Sequence, residues 1–132
     1  MSTPREEILK QVRRWMRYGD EDLRLAKGAL SLKPCPYRLA AFHAQQCAEK
    51  YLKAYLLHED IDFAYSHNIS YLLELAAEKA PWGDKLAEAD RLSRFAVTLR
   101  YPGEDSRVTR SETELAISLA TSVRREVRRA CK

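Results

Sequence analysis

The stretch Pro36–His58, PYRLAAFHAQQCAEKYLKAYLLH, carries no glycine and no proline after its first residue, so it reads as one long helix. Ala40, Ala44, Cys47, Ala48, Tyr51, Leu52 and Tyr55 recur at helical spacing and cover one broad side. Several are small, which lets a neighbouring helix approach closely. The opposite side carries Phe42, His43, Gln46, Glu49, Lys50 and Lys53. At about 100° per residue, Gln46, Glu49, Lys50 and Lys53 fall within roughly one third of the circumference. Such a stripe is compatible with an ordinary wet surface, and equally with the lining of a cleft for an anionic ligand.

The rest of the chain supplies partners for that helix, and all of them read as helical. A first helix opens at Thr3 or Pro4, with Ser2 or Thr3 as cap and Glu6 and Glu7 suiting the positive end of the dipole. Its apolar rhythm runs through Ile8, Val12, Trp15, Gly19, Leu23, Ala26 and Leu30 to Lys33. Gly19 inside good helix formers predicts a bend or a close contact. Lys33-Pro34-Cys35-Pro36 breaks the helix, because residues before proline leave the α region. After a loop from Glu59 to Asn68, with Ser66 or Asn68 as cap, a third helix spans Ile69–Lys79 and ends at Ala80-Pro81-Trp82-Gly83. Asp84 caps a fourth, with Leu86, Ala89, Leu92 (or Ser93), Ala96 and Leu99 inside, closed by Arg100-Tyr101-Pro102-Gly103. Ser111 with Glu114 is the capping box of a fifth, whose inner stripe is Leu115, Leu119, Val123 and Val127. The expected fold is all-α, an up-and-down antiparallel bundle of about five helices in one domain, residues 1–132.

Composition narrows the class. With 132 residues, 45% hydrophobic and 32% charged, and only 4 glycines and 5 prolines, the chain holds one core and little disorder. Three cysteines, Cys35, Cys47 and Cys131, fit no metal-site spacing and read as free thiols of a reducing compartment. No apolar run approaches the roughly 18 residues of a membrane span, and no secretory segment opens the chain. The expectation is a cytoplasmic protein without membrane contact, metal or cofactor. The net charge of +4 concentrates at Arg124, Arg125, Arg128, Arg129 and Lys132, where the dipole of the last helix favours cations. The same end could serve RNA or an acidic partner.

The segment AAFHAQQCAEKYLKAYL, Ala40 to Leu56, resembles the HEPN family, the higher eukaryotes and prokaryotes nucleotide-binding domain. Trp15 with Asp22-Leu23 and Ala26 resembles that family's opening helix, Ser66-His67-Asn68 with Leu72 its loop into helix three, and Arg100-Tyr101-Pro102 the close of helix four. The resemblance implies a four-to-five-helix bundle that commonly homodimerises and is often encoded beside a minimal nucleotidyltransferase, as a toxin–antitoxin-like pair. It also implies, for many members, a metal-independent ribonuclease whose signature is an Arg followed by a His after four to six residues. In this chain no histidine follows Arg100, the last being His67. The imidazole expected to act as acid or base on a ribose 2′-hydroxyl is missing there. Arg38 and His43 have the spacing, but they lie in helix two.

The residues singled out for a ligand are Gln46, Glu49, Lys50, Lys53, His67, Arg100 and Tyr101. Ammonium groups suit phosphate, and Gln46 suits a base or ribose. Glu49 fits only when tied to Lys53 at the (i, i+4) spacing or to Arg100. His67 either caps helix three or bonds into the same cleft. Tyr101 stands where the resemblance implies a tyrosine modified by the nucleotidyltransferase, or simply covers the core. Trp15, Trp82 and the tyrosines of helix two belong to the core or a dimer interface. The leading expectation is a nucleotide- or partner-binding module without an intact Arg-His ribonuclease motif. The alternatives are a ribonuclease using Arg100 with His67 or His43, and a basic RNA-binding module using the last helix.

Overall fold

The computed structural model describes residues 3–97 and 107–132. Its elements run α1 (Pro4–Ala29), α2 (Tyr37–His58), α3 (Ile69–Ala77), a 3₁₀ helix (Gly83–Ser93), α4 (Arg94–Val97) and α5 (Arg110–Ala130). No strand occurs among the described residues, and no helix is long and apolar enough to cross a membrane. The all-α expectation holds.

Helix boundaries follow local chemistry. Thr3 caps α1 in a reciprocal capping box with Glu6, and the Pro34–Pro36 break separates α1 from α2. Asn68 caps α3 by accepting from the Tyr71 amide. For α5 the capping box is Thr109 with Glu112, not Ser111 with Glu114. The spacing is identical, and the earlier pair wins because Thr109 has the extended backbone that a cap requires.

The fourth element departs from the predicted α-helix. Leu86, Ala89 and Leu92 are buried, and with Phe95 in α4 they advance in steps of three. At three residues per turn such side chains eclipse one another, so a 3₁₀ helix presents all of them to the core. Leu99 lies outside the described residues. The inner stripe of α5 is also rotated: Thr113, Ala116, Ala120, Val123 and Val127 are buried, whereas Leu115 and Leu119 are half-buried. The small residues let α5 lie close against α2.

α2 is the hub, packing against α1, α5, α3, α4 and the 3₁₀ helix. All seven residues of its predicted apolar side are buried, and so are Ala41, Gln45, Glu49, Lys53, Ala54 and Leu56. A helix covered on most of its circumference has no wet face to spare for its charges. Trp82 and Tyr55 pack at 4.7 Å between ring centroids in this core. Trp15 is only half-buried.

The contact between α1 and α2 turns on Gly19. A Cβ placed there would stand 2.8 Å from Tyr51 Cδ2 and 3.3 Å from the Cys47 carbonyl oxygen. Close packing, rather than a bend, explains the glycine. Beneath it Cys47 is fully buried, and burial pushes its thiol up to about 12, with the charges of Asp20 and Asp22 adding to the effect.

Two outcomes follow from this packing. Gly19→Ala, favoured by helix propensity by roughly 1 kcal/mol, is expected to destabilise by about 1–3 kcal/mol in urea unfolding, because Tyr51 is a rigid neighbour. At pH 8 iodoacetamide should label Cys35 first. Cys47 should react more than about a hundredfold slower than an ordinary thiol until urea unfolds the chain, as read by peptide mass spectrometry.

Candidate functional site

Three polar clusters radiate from α2. The first is a ladder along the helix itself, at residues 45, 49 and 53. Glu49 is 3% exposed and Lys53 4%. The Lys53 ammonium donates to Glu49 Oε2 at 3.0 Å, and Gln45 Nε2 donates to Glu49 Oε1 at 3.2 Å. Gln45 also donates to the His67 carbonyl at 3.2 Å, and Gln46 Nε2 donates to Gln45 Oε1 at 2.8 Å. His67 Nδ1 lies 2.8 Å from Glu49 Oε1, while its Nε2 lies 2.8 Å from the Tyr65 hydroxyl. A carboxylate beside Nδ1 keeps that nitrogen protonated, so in the neutral ring Nε2 is the acceptor and the Tyr65 hydroxyl donates. The ammonium of Lys53 sits 5.5 Å from the Trp15 ring centroid and 5.3 Å from that of Tyr65. Each such contact contributes about 0.5–2 kcal/mol, more as water is excluded.

The second cluster ties α2 to α1. Asp22 is 6% exposed, and its carboxylate takes both Lys50 and His43, whose Nδ1 is 2.8 Å away. The third joins α1, α2 and α5. Asp20 accepts from the Tyr51 hydroxyl at 2.5 Å and from Arg124 Nε at 2.7 Å. Burial first, and then the bond to Asp20, push the Tyr51 hydroxyl up to about 12. Arg128 donates to the same tyrosine at 3.3 Å, and Glu126, a buried acid, gathers Arg129 and Arg125 at 3.3 and 3.4 Å.

The structure thus brings Gln46, Glu49, Lys53 and His67 into one network and places Lys50 in the adjacent one. The Glu49–Lys53 tie at (i, i+4) is present. Arg100, Tyr101 and therefore any Glu49–Arg100 pair lie outside the described residues. His67 does not cap α3, since Asn68 does; the imidazole turns to Glu49 instead, because a buried carboxylate needs a partner more than an already capped helix end. The wet-surface reading of the stripe fails for Glu49 and Lys53, which face neighbours and not water. The arginines of α5 are largely anchored by Asp20 and Glu126.

Sequence reasoning passed over Asp20, Asp22, Gln45 and Tyr65 as site residues. The signal for the first two was available: acids just after a glycine that marks close helix contact. For Gln45 it was the four-residue ladder to Glu49 and Lys53. Nothing local marked Tyr65, because its loop position relative to Lys53 is a tertiary matter. Among the described residues no group of three or more His, Cys, Asp or Glu converges as metal ligands.

The sequence model of the HEPN domain matches residues 12–130. Among solved structures, TT1696 from Thermus thermophilus is 31% identical, covering 90% of this chain and 97% of that one, at a TM-score of 0.76. ST0689, an archaeal HEPN homologue, is 26% identical, covering 92% and 98%, at a TM-score of 0.74. No curated protein matches the sequence.

Removing one member of the buried pair tests how dry it is. Glu49→Gln leaves the Lys53 ammonium without its charge partner and is expected to cost about 3–5 kcal/mol in urea unfolding. Adding Lys53→Met should recover at least half of that loss. A cost below about 1 kcal/mol for the single variant would place the pair with ordinary exposed ion pairs.

Proposed function

The chain belongs to the HEPN domain family, and from that premise we propose a nucleotide-binding or partner-binding module that works without an intact Arg-His ribonuclease motif. In this reading it is the helical half of a nucleotidyltransferase-associated, toxin–antitoxin-like pair, a cytoplasmic homodimer of one HEPN domain. The ligand face is the edge of α2 with the Tyr65–His67 loop, completed by Arg100 and Tyr101 from further along the chain.

The observation that carries the reading is the Glu49–Lys53 pair, buried yet roofed by residues that reach solvent. A buried ion pair is a poor stabiliser, since apolar residues of the same volume would serve as well or better. Here it orients His67, which is half-buried, against Tyr65, which is 84% exposed. Lys50 and His43 lie on the next cluster, both partly accessible. An exposed aromatic ring suits a nucleobase, and the neighbouring amide, imidazole and ammonium groups suit ribose and phosphate.

Calorimetric titration with ATP, GTP and their mono- and diphosphates tests the ligand half. Heat is expected with one of them, with affinity reduced about tenfold or more in Gln46→Ala or His67→Ala, in line with one lost hydrogen bond to a charged or buried group. Absence of heat with every nucleotide, together with a co-expressed minimal nucleotidyltransferase that elutes separately, rejects the reading.

A second reading, a metal-independent ribonuclease, draws on a specific feature. Two imidazoles are each oriented by a carboxylate through Nδ1, His67 by Glu49 and His43 by Asp22, both at 2.8 Å. That arrangement suits a general base, and Arg100 would supply transition-state charge. Cleavage of RNA in the presence of EDTA, abolished in Arg100→Ala and in one of His67→Ala or His43→Ala, would establish it over the binding module.

A further inference from the structure

Among the described residues, the arginines of α5 have ion-pair partners, whereas α1 carries exposed arginines that have none. Arg13, Arg14, Arg17 and Arg24 are exposed, and among the described residues none of them is ion-paired, Arg17 lying instead 5.4 Å from the Tyr18 ring centroid. Glu21 is the one outward acid among them, since Asp20 and Asp22 are engaged with α2 and α5.

The same side of α1 exposes apolar groups. Tyr18 is 40% exposed, Leu25 58% and Leu32, just past the helix end, 57%. Tyr18 and Leu25 are spaced by seven residues, so at helical pitch they drift by only about 20° and share one seam, while Leu32 is exposed in the turn that follows the helix. Arg14 sits on the edge of that seam, and Arg17 and Arg24 flank it on one side, all three within roughly 100° of arc. At the N-terminal end of the seam lies a hollow of ≈ 230 Å³, lined by Gln11, Arg14, Trp15 and Tyr18. It is large enough to receive one apolar side chain as a knob.

We propose that the outward side of α1 is a docking surface for an acidic amphipathic helix of a partner protein. Leucines or similar residues of that helix would cover Tyr18, Leu25 and Leu32, and its carboxylates would meet Arg14, Arg17 and Arg24 as charge-assisted pairs. A second copy of this chain fits poorly. On this side of α1 the acids are Glu21 and Glu7, the latter already paired with Lys10, so antiparallel pairing of two α1 helices leaves an excess of arginine across the seam, and like charges select against that pairing. Single-stranded RNA would use the arginines and the two aromatic rings, but it leaves both leucines uncovered. The occupant that satisfies the seam and its flank together is the acidic helix.

The test uses a fluorescein-labelled 21-residue peptide with Leu at heptad positions a and d and Glu at e and g, titrated with the full chain in an anisotropy assay. Saturable binding is expected, weakened at least tenfold by Leu25→Asp and by the triple change Arg14→Glu, Arg17→Glu, Arg24→Glu. The triple variant should instead gain the peptide with Lys at e and g. Helical circular dichroism checks each variant, with Leu25→Ser in reserve if Leu25→Asp fails to fold. Four results overturn the proposal: no saturable binding, equal binding of a peptide with Ser at a and d, unchanged binding in the folded variants, or a single-stranded RNA that outcompetes the peptide through the same arginines.

Discussion

The approach of α1 to α2 at Gly19 is the constraint from which the polar architecture descends. With Tyr51 pressed against the glycine, the acids that follow it are carried to within hydrogen-bond reach of α2 and α5. Asp20 then meets Tyr51 and Arg124, and Asp22 meets His43 and Lys50. A wider interaxial distance would leave those carboxylates in water and the opposing cations unpaired. The glycine therefore governs electrostatics as much as packing.

Surrounding α2 with other helices has a second consequence. A helix with a Gln, a carboxylate and an ammonium on its fourth-residue ladder cannot turn them all outward once both sides are covered. The fold satisfies them internally, with Gln45, Glu49 and Lys53 bonded in series and His67 closing the end. This converts a stripe that looks merely hydrophilic into a rigid scaffold beneath the Tyr65–His67 loop. Side chains held in this way lose little further entropy when a ligand binds over them, which is what a preorganised site requires.

The distribution of arginines separates structural cations from available ones. Those of α5 lean on Asp20 and Glu126 and help hold the last helix against the bundle. Those of α1 face outward beside an apolar seam. Counting charges along the chain cannot make this distinction, since both helices are similarly rich in arginine; only the position of the acids in space does so.

Much of the fold was legible in the amino-acid order, because caps, prolines and apolar spacing are local. Thr3, the Pro34–Pro36 break, Asn68 and the apolar side of α2 all act through neighbours within about four residues. The 3₁₀ helix was half-legible: its three-residue apolar step is present in Leu86, Ala89 and Leu92, but the preference for α geometry had to be overridden by packing. The clusters were not legible, since Asp22 meets His43 and Lys50, and Glu49 meets His67, across 18 to 28 positions of sequence. Sequence alone determined which segments become helices and which helix sits at the centre. Tertiary structure decided that Glu49 and Lys53 are buried, that His67 joins them and that Asp22 holds Lys50, because burial depends on what covers a face and periodicity records only that the face exists.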